Sequence, residues 1–356
     1  MNHVELFAGV GGFRQAMDLI AYDLGFPITT IAYSEIDKKA IDTYKANYDT
    51  NNELAMGDIV SFTSNSKAMK ALPKYDILSA GFPCQTFSMM GHQDGFKEER
   101  GLMFFRIMDM IHNRHPQYIL LENVKNLITH DKGNTIAVIK KEIEDAGYIV
   151  KMDVFNSSDF GLPQKRNRVI IFARRKHLGN FDFSSEHVKK SFVQIDKNRC
   201  SLNFYNSVID VLERVVNKKY YLSEKIKPTL LSDGSAGFKS NSDIDQIVAR
   251  PLTATMHKMH RACQDNYYSD LFIQSFGLDR PSERMTKEEL TQIPIRKLTP
   301  KEAFMLQGFC HTFAINASLA GVADGAMYKQ AGNAVSVNTI YAILYYLITN
   351  RIIRKH

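Results

Sequence analysis

A cysteine directly after a short apolar run is the first candidate for chemistry. Cys84 lies in the segment Gly81-Phe82-Pro83-Cys84-Gln85-Thr86-Phe87-Ser88, which follows the run from Tyr75 to Ala80. The run predicts a buried strand, and Gly81 and Pro83 end it. Ligands in open α/β sheets bind beyond the carboxyl ends of strands. Cysteine is also among the residue types most often buried, so Cys84 alone is explained more simply as a core residue.

Charged residues flank two further apolar runs. Glu122 follows the run from Tyr118 to Leu121, and Gln164-Lys165-Arg166-Asn167-Arg168 precedes the run from Val169 to Ala173. A carboxylate at the end of a buried strand is costly unless a cation pairs with it or its pKa is raised. The residues alone leave two explanations open: a Glu–Arg ion pair that closes the sheet, or groups that act together with Cys84.

A glycine turn and two acidic residues point to a small-molecule site. The stretch from Phe7 to Phe13 joins the first predicted strand to the first predicted helix, where glycines let a ligand approach the backbone. Its spacing differs from GxGxxG, which disfavours a nicotinamide cofactor. Glu35 ends the second predicted strand and can accept hydrogen bonds from a ribose, while Asp58 can accept one from an exocyclic amine. Taken singly, each acid fits a surface position or a helix cap.

Strands and helices alternate as far as about residue 175. The predicted strands are Val4 to Phe7, Ile28 to Ser34, Ile77 to Ala80, Tyr118 to Glu122, Ile149 to Asn156 and Val169 to Ala173. The predicted helices are Phe13 to Leu24, Lys38 to Tyr48, Gly101 to Arg114 and Asn134 to Ala146. This alternation predicts an α/β fold, with a mainly parallel sheet covered by helices on both faces. The last two strands have only a loop between them and are expected to pair antiparallel.

The sequence becomes irregular after about residue 176. We predict a first domain over residues 1–176, a smaller one over 177–310 and a C-terminal segment over 311–356. A helix from Lys301 to Gln307 is expected, with Thr299 as its cap and Pro300 in its first turn. Either Ser336 or Asn338 is expected to cap a last helix that runs to about Ile353.

Composition narrows the classes of function. The 356 residues are 44% hydrophobic and 23% charged, as in an ordinary globular protein. Four cysteines (Cys84, Cys200, Cys263 and Cys310) form no CxxC pair, so we expect no metal site, no disulfide framework and a reducing cytosol. No signal peptide is expected, and the apolar stretch from Ile340 to Ile348 is too short for a membrane span. The net charge of +7 favours a polyanionic partner, although each basic cluster fits a solvated surface.

Taken together, the motifs resemble those of the DNA cytosine carbon-5 methyltransferase family. They occur in the family's order, as residues 7–12 (FAGVGG), 81–85 (GFPCQ), 122–124 (ENV), 164–168 (QKRNR), 296–302 (RKLTPKE) and 329–335 (KQAGNAV). The resemblance covers the chain outside roughly residues 176–295. It implies a Rossmann-like methyltransferase sheet that uses S-adenosyl-L-methionine, plus a smaller target-recognition domain with recognition loops at about 228–295. It also implies a modification enzyme of the bacterial or phage type.

The implied reaction requires a nucleophile, because cytosine carbon 5 alone is too weak to attack a sulfonium methyl. Cys84, preceded by Pro83 in its motif, would add to carbon 6 as a thiolate favoured by nearby positive charge. Glu122 would bind ring nitrogen 3 and the exocyclic amine, and Arg168 would bind oxygen 2. Arg166 would support the site or contact a phosphate. No residue stands out as the base that removes the carbon-5 proton, and water is the alternative.

The resemblance also assigns a set of cofactor positions. They are Phe7 at the adenosyl group, Gly9 and Gly11 at the methionine end with Gly12 beside them, Glu35 at the ribose, Ile36 and Ile59 on the faces of the adenine, Asp58 at the adenine amine and Asn333 at the methionine pocket. The role of Asn333 implies that the C-terminal helix returns to the first domain.

A base inside a duplex cannot reach such a pocket, so base flipping is expected. The segment from Gln85 to Phe104 would close over the flipped base. The DNA-binding candidates are Gln85, Ser88 and Arg100 in this segment, and Thr253, His257, His260 and Arg261 in the recognition region. Each of the last four fits an ordinary surface residue equally well.

Three alternatives stay open. An RNA (tRNA) cytosine-5 methyltransferase shares the core, but that branch's extra Cys-Phe-Thr motif is absent. A cysteine hydrolase lacks an evident histidine partner for Cys84. A non-enzymatic DNA-binding module does not explain Glu122 and Arg168 beside Cys84. The expected partner is double-stranded DNA, bound by a monomer without metal or membrane; a separately encoded restriction endonuclease is a further potential partner.

Overall fold

The computed structural model describes residues 1–83, 102–235, 238–258 and 262–355. The chain divides into two compact units. Unit 1 comprises Met1–Asn156, Asn167–Ser201 and Thr339–His356, and unit 2 comprises Ser157–Arg166 and Leu202–Asn338. This division differs from the predicted boundaries at three places. Residues 157–166 and 311–338 belong to unit 2, and residues 177–201 belong to unit 1.

Unit 1 is built on a sheet that has seven strands among the described residues. They are β1 (Asn2–Leu6), β2 (Thr29–Ser34), β3 (Leu54–Ala55), β4 (Ile77–Gly81), β5 (Tyr118–Val124), β6 (Tyr148–Asn156) and β7 (Asn167–Arg175), in the order β3-β2-β1-β4-β5-β7-β6. The pairs β5–β7 and β6–β7 are antiparallel and the others are parallel. The predicted mainly parallel sheet with an antiparallel final pair is therefore confirmed.

Helices cover this sheet. In the described part of unit 1, the helices before residue 193 are α1 (Gly12–Leu24), α2 (Lys38–Asn47), α3 (Ile59–Ser64), α4 (Ser66–Ala71), α5 (Leu102–Arg114), α6 (Asn134–Asp145) and α7 (Ser185–Phe192). The first six residues of β5 are buried without alternation, as is expected of a strand covered on both faces. One face of α1 packs on the core, since Phe13, Ala16, Met17 and Ile20 are buried.

Unit 2 consists of short elements. Its helices are α8 (Lys227–Leu231), α9 (Asp270–Gln274), α10 (Lys287–Thr291), α11 (Pro300–Met305), α12 (Phe313–Leu319) and α13 (Asp324–Asn333). Among its described residues, the strands form two antiparallel pairs, β8 (Gly234–Ser235) with β9 (Phe238–Lys239) and β10 (Tyr267–Ser269) with β11 (Ile295–Lys297). The 3₁₀ turns of the chain are Lys125–Ile128, His130–Gly133, Ser157–Phe160, Lys176–Leu178, Val208–Asp210, Lys218–Tyr220, Met256–Lys258 and Pro281–Glu283.

The cap of α11 forms as predicted. The Thr299 side chain accepts the Glu302 N–H at 3.2 Å, and the Glu302 carboxylate accepts the Thr299 N–H at 2.7 Å. This reciprocal pair is a capping box, and Pro300 occupies the first helical position, where its missing N–H costs nothing.

The last helix, α14, spans Val337–Thr349 and is shorter than predicted. Of the two predicted caps, Ser336 directly precedes the helix, whereas Asn338 lies inside it and donates to the carbonyls of Phe160 and Asn203. From Thr339 onward the chain belongs to unit 1, where the Tyr341 hydroxyl donates to Asp23 at 2.7 Å. Within the described residues, the segment Asp324–Thr349 is long and apolar enough to cross a membrane. However, 78% of its 18-residue apolar stretch is buried inside the protein, as in a core helix.

Candidate active site

The predicted nucleophile and several predicted DNA contacts lie outside the described residues. These are Cys84, Gln85, Ser88, Arg100, His260 and Arg261. Pro83, the last described residue before Cys84, is exposed and lies two positions beyond the end of β4. The register pairs Gly81 on β4 with Glu122 on β5, so the strand that leads to Cys84 ends beside Glu122.

Glu122 and Arg168 form an ion pair at the ends of two adjacent strands. Glu122 on β5 is 9% exposed, and its Oε1 lies 2.9 Å from Nε of Arg168 at the start of β7. The Arg168 Nη1 also donates to its neighbour's carbonyl, that of Asn167, at 2.9 Å. The ion pair considered from the sequence is therefore present. A buried carboxylate next to a guanidinium offers an acceptor and a donor side by side, which is also what a polar base edge requires.

Asn123 connects β5 to the segment before Cys84. Its role was not predicted from the sequence. Its side chain is 2% exposed, its Nδ2 donates to the Phe82 carbonyl at 2.8 Å, and its Oδ1 accepts the Val124 N–H at 2.8 Å. A buried amide that satisfies two backbone groups fixes their positions. The available signal was a polar residue at the end of an otherwise apolar strand.

The glycine turn follows β1 in an unusual backbone conformation. Phe7, Gly9 and Gly11 all have positive φ, of 54°, 54° and 83°. For a bulky residue such as Phe7 this conformation is strained, and such strain is typical of functional turns. A Cβ added at Gly9 would have no atom within 4 Å, so the space beside this residue is open. Gly12, which is buried, begins α1.

Glu35 ties the end of β2 to this turn. Its Oε2 accepts the Gly9 N–H at 2.8 Å, and its Oε1 accepts the N–H groups of Ile36 and Asp37 at 2.7 and 2.8 Å. A carboxylate has about four acceptor positions, so these contacts leave one, on Oε2. Of the hydrogen bonds that a ribose was expected to donate to Glu35, one can form without displacing a backbone contact.

Asp58 caps α3, the explanation that was simplest for the residue alone. Its Oδ1 accepts the Val60 N–H at 3.0 Å, and its Oδ2 accepts the Ser61 hydroxyl at 2.7 Å. The hydrogen bond from Ser61 is the main reason that the pKa of Asp58 lies below its usual value. The two predicted adenine walls differ: Ile36 is 75% exposed, whereas Ile59 is buried in the core.

Arg166 is a buried structural residue of unit 2. The side chain is 1% exposed and donates to the carbonyls of Leu252, Gly332 and Ala334 at 3.1, 3.0 and 2.8 Å. Two roles were predicted for Arg166, support of the site or contact with a phosphate, and the enclosed guanidinium with its bonds to backbone oxygens favours the first. Support of the surrounding motif is the role that these contacts allow.

Two predicted residues of unit 2 lie near that network, and a third ends a helix. A Cβ on Gly332 would clash with the backbone of Thr253, so these two segments touch directly. The Thr253 hydroxyl donates to Asp265 at 3.3 Å, and His257 is partly buried in the 3₁₀ turn that follows. Asn333 is exposed at the last position of α13.

The RKLTPKE motif forms the interior of unit 2. Arg296 donates from Nη1 and Nη2 to the two carboxylate oxygens of Glu302 at 2.9 and 2.7 Å, and both side chains are at most 1% exposed. The Glu302 carboxylate also accepts the N–H of Glu213 at 2.7 Å. A buried pair with this many partners is satisfied, so its role is to hold the unit together.

Comparison with known proteins decides the family. The family described as "C-5 cytosine-specific DNA methylase" matches residues 1–349. The chain belongs to this family. The protein is a methyltransferase that acts on carbon 5 of cytosine in DNA, of the restriction-modification type.

Relatives of this methylase include bacterial modification enzymes. It is 36% identical over 345 residues to the type II methyltransferase M1.ScrFI of Lactococcus lactis subsp. cremoris, covering 96% of this chain and 76% of that protein. It is 35% identical over 350 residues to the type II methyltransferase M.HpaII of Haemophilus parainfluenzae, covering 95% and 87%. The S. pombe Dnmt2 methyltransferase structure matches with a TM-score of 0.74 at 19% identity, covering 99% of this chain and all of that one, which shows the fold alone.

One cleft of the methylase lies apart from the predicted site residues. A cleft of about 340 Å³ in unit 2 contains Lys219, Lys301 and Asp324, and the described residues that line it include none of the predicted site residues. In the described part of the chain, no group of three or more His, Cys, Asp or Glu side chains is placed to hold a metal ion.

Proposed function

We propose that this methylase transfers the methyl group of S-adenosyl-L-methionine to carbon 5 of a cytosine flipped out of duplex DNA, through a covalent bond between Cys84 and cytosine carbon 6. The observation that carries the proposal is the Glu122–Arg168 pair, 2.9 Å apart, beside the strand that leads to Cys84. Family membership supplies the reaction, and this pair supplies groups suited to the base.

The pair matches the polar edge of cytosine. That edge presents an amine, ring nitrogen 3 and oxygen 2 in a row, and a flipped base is bound through this edge. In the proposal, Glu122 accepts from the amine and holds a proton at nitrogen 3, while Arg168 donates to oxygen 2. Because the two side chains are already in contact and mostly buried, little rearrangement is needed when the base arrives.

Each step of the chemistry conserves atoms and charge. Glu122, a carboxylate while it is paired with Arg168, takes up a proton from solvent as the base binds. The Cys84 thiolate adds to carbon 6, and the electrons of the 5,6 double bond move toward nitrogen 3, which takes this proton from Glu122. Carbon 5 is then an enamine carbon. Bound S-adenosyl-L-methionine would supply an electrophilic sulfonium methyl there, and its sulfur would keep the electron pair of the broken S–C bond as a neutral thioether. Water takes the carbon-5 proton, the thiolate of Cys84 leaves as the double bond re-forms, and the nitrogen-3 proton returns to Glu122.

The described cofactor positions fit an adenosyl ligand. The space beside Gly9 is open, and the Glu35 carboxylate keeps one acceptor position for a ribose hydroxyl. Ile36 exposes an apolar surface on which an adenine can lie. Asp58 keeps acceptor capacity on Oδ1 for an exocyclic amine, although its first function is to cap α3.

The substrate and partners are proposed in the same terms. A monomer is proposed to bind double-stranded DNA, with Thr253 and His257 among the residues near the recognition surface. A separately encoded restriction endonuclease that cleaves the same DNA site is a further proposed partner. The RNA alternative predicts activity on tRNA instead and is separated from the DNA proposal by the substrate arms of the test below.

The test combines a variant with two substrates. Cys84→Ser is expected to abolish transfer of labelled methyl groups to duplex DNA while binding of S-adenosyl-L-methionine, measured by calorimetry, survives. Cys310→Ser, at an exposed cysteine, is the matched control and should retain activity. Turnover by Cys84→Ser would contradict the mechanism. Labelling of tRNA but not DNA by the unaltered protein would replace the DNA substrate.

A further inference from the structure

A column of tyrosines lies against the glycine turn, and no step of the proposed reaction uses it. The rings of Tyr33 and Tyr44 stack at 4.5 Å between centroids, and those of Tyr44 and Tyr48 lie 4.8 Å apart. A Cβ on Gly11 would lie 2.5 Å from Cε2 of Tyr48 and 2.9 Å from Cε2 of Tyr44. The rings therefore occupy the place that any side chain at Gly11 would need.

Tyr48 also binds the backbone of the turn. Its hydroxyl donates to the Gly11 carbonyl at 2.9 Å, and the same carbonyl accepts the Gln15 N–H at 2.8 Å. Both acceptor positions of this oxygen are thereby used. Gly11 is the residue that caps α1, so the tyrosine hydroxyl holds the first turn of that helix.

Charged residues hold Tyr48 from its other side. The Arg14 guanidinium lies over the Tyr48 ring, 5.5 Å from the centroid. Arg14 donates to Asp18 at 2.7 Å and to Glu53, whose side chain is 3% exposed. The Tyr44 hydroxyl donates to the same Glu53 carboxylate at 3.4 Å. The column is thus fixed by buried contacts rather than by packing alone.

We propose that Tyr48 is a positioning residue for the cofactor, which sets the turn from Gly9 to Gly12 so that the start of α1 receives the amino-acid end of S-adenosyl-L-methionine. The inference rests on the proposed function, because it takes this turn as the cofactor site. A helix N-terminus favours an anionic group through its backbone N–H groups and dipole, and the cofactor's carboxylate is such a group. Tyr48 acts through the backbone and touches no reacting atom.

The position of the contact predicts a selective effect. Losing one hydrogen bond to the turn is expected to weaken binding of S-adenosyl-L-methionine about three- to tenfold. Methylthioadenosine, which lacks the amino-acid end, should bind equally well to the variant and the unaltered protein. A general loss of structure would instead weaken the binding of both ligands.

The experiment measures both dissociation constants by calorimetry for the unaltered protein, Tyr48→Phe and the control Tyr22→Phe, whose ring is 82% exposed on α1. Steady-state kinetics should show a raised KM for the methyl donor, with kcat at saturation within about twofold. If Tyr48→Phe does not fold, Glu53→Gln tests the same contacts through Arg14 and is expected to show the same selective loss.

The outcomes separate the inference from the function on which it rests. If the unaltered protein binds neither ligand, the proposed cofactor site fails. If it binds both, and Tyr48→Phe either binds both as tightly or loses both equally, the positioning role of Tyr48 is overturned while the cofactor site stands.

Discussion

Replacing Glu5 by glutamine is predicted to remove a large part of the pH dependence of folding stability. Glu5 lies on β1 directly before the glycine turn and is 1% exposed. Burial raises the pKa of Glu5 to about 8, although Arg14 and the N–H groups at the start of α1 oppose the change and Glu53 adds to it.

The magnitude follows from proton linkage. Between the ordinary glutamate pKa of 4.5 and the folded value of about 8, the folded state keeps the Glu5 proton and the unfolded state has lost it. The free energy of unfolding therefore falls as the pH rises, by about 1.4 kcal/mol per pH unit. The stabilisation is complete below pH 4.5 and lost by about pH 8, which gives roughly 3 to 4 kcal/mol between pH 5 and pH 8.

The assay is urea unfolding of the unaltered protein and Glu5→Gln at several pH values from 5 to 8. Other groups titrate equally in both proteins, so the difference between their unfolding free energies isolates Glu5. As the pH rises from 5 to 8, the unfolding free energy of the variant should increase by about 3 to 4 kcal/mol relative to that of the unaltered protein. Glu288→Gln, at an exposed glutamate, should show no such trend. A difference that stays constant from pH 5 to pH 8 would refute the reasoning.

Three further substitutions test individual contacts. Asn123→Ala removes the donor to the Phe82 carbonyl and should lower kcat about tenfold or more with unchanged cofactor affinity, measured by labelled methyl transfer and calorimetry; unchanged kcat would exclude the positioning role. Gly332→Ala forces a Cβ into the Thr253 backbone and should cost about 1 to 3 kcal/mol, seen as a lower urea midpoint. Arg166→Lys cannot reach all three carbonyls and should destabilise by about 2 kcal/mol; an unchanged urea midpoint would contradict this.

The long elements of unit 1 could be predicted because their patterns extend over enough residues. The face of α1 repeats over more than three turns, and β5 is a continuous apolar run. The two-residue strand β3 and the six-residue helices α3 and α4 were not predicted, because they are too short to show a period. The cap of α11 was predictable because Thr299, Pro300 and Glu302 act within one turn.

The site was predictable as a set of residue types but not as a set of contacts. Glu122 and Arg168 carry the signals of motif and position, and their ion pair follows from the β5–β7 register. Arg166 carries the same charge as Arg168, yet it is enclosed by carbonyls that are distant in sequence. Asp58 caps a helix that the sequence did not reveal. Tyr48 reaches Gly11 across 37 residues, so no local pattern announces it.

The central claim, a covalent Cys84 intermediate on cytosine in DNA, is tested most directly with a duplex that contains 5-fluorocytosine at the target position. Fluorine at carbon 5 cannot leave as a proton, so the thiolate cannot be eliminated after methyl transfer. Mass spectrometry of the digested complex should find the methylated base attached to the peptide that contains Cys84. Methyl transfer to ordinary DNA without such an adduct, or an adduct on Cys200, Cys263 or Cys310, would contradict the account.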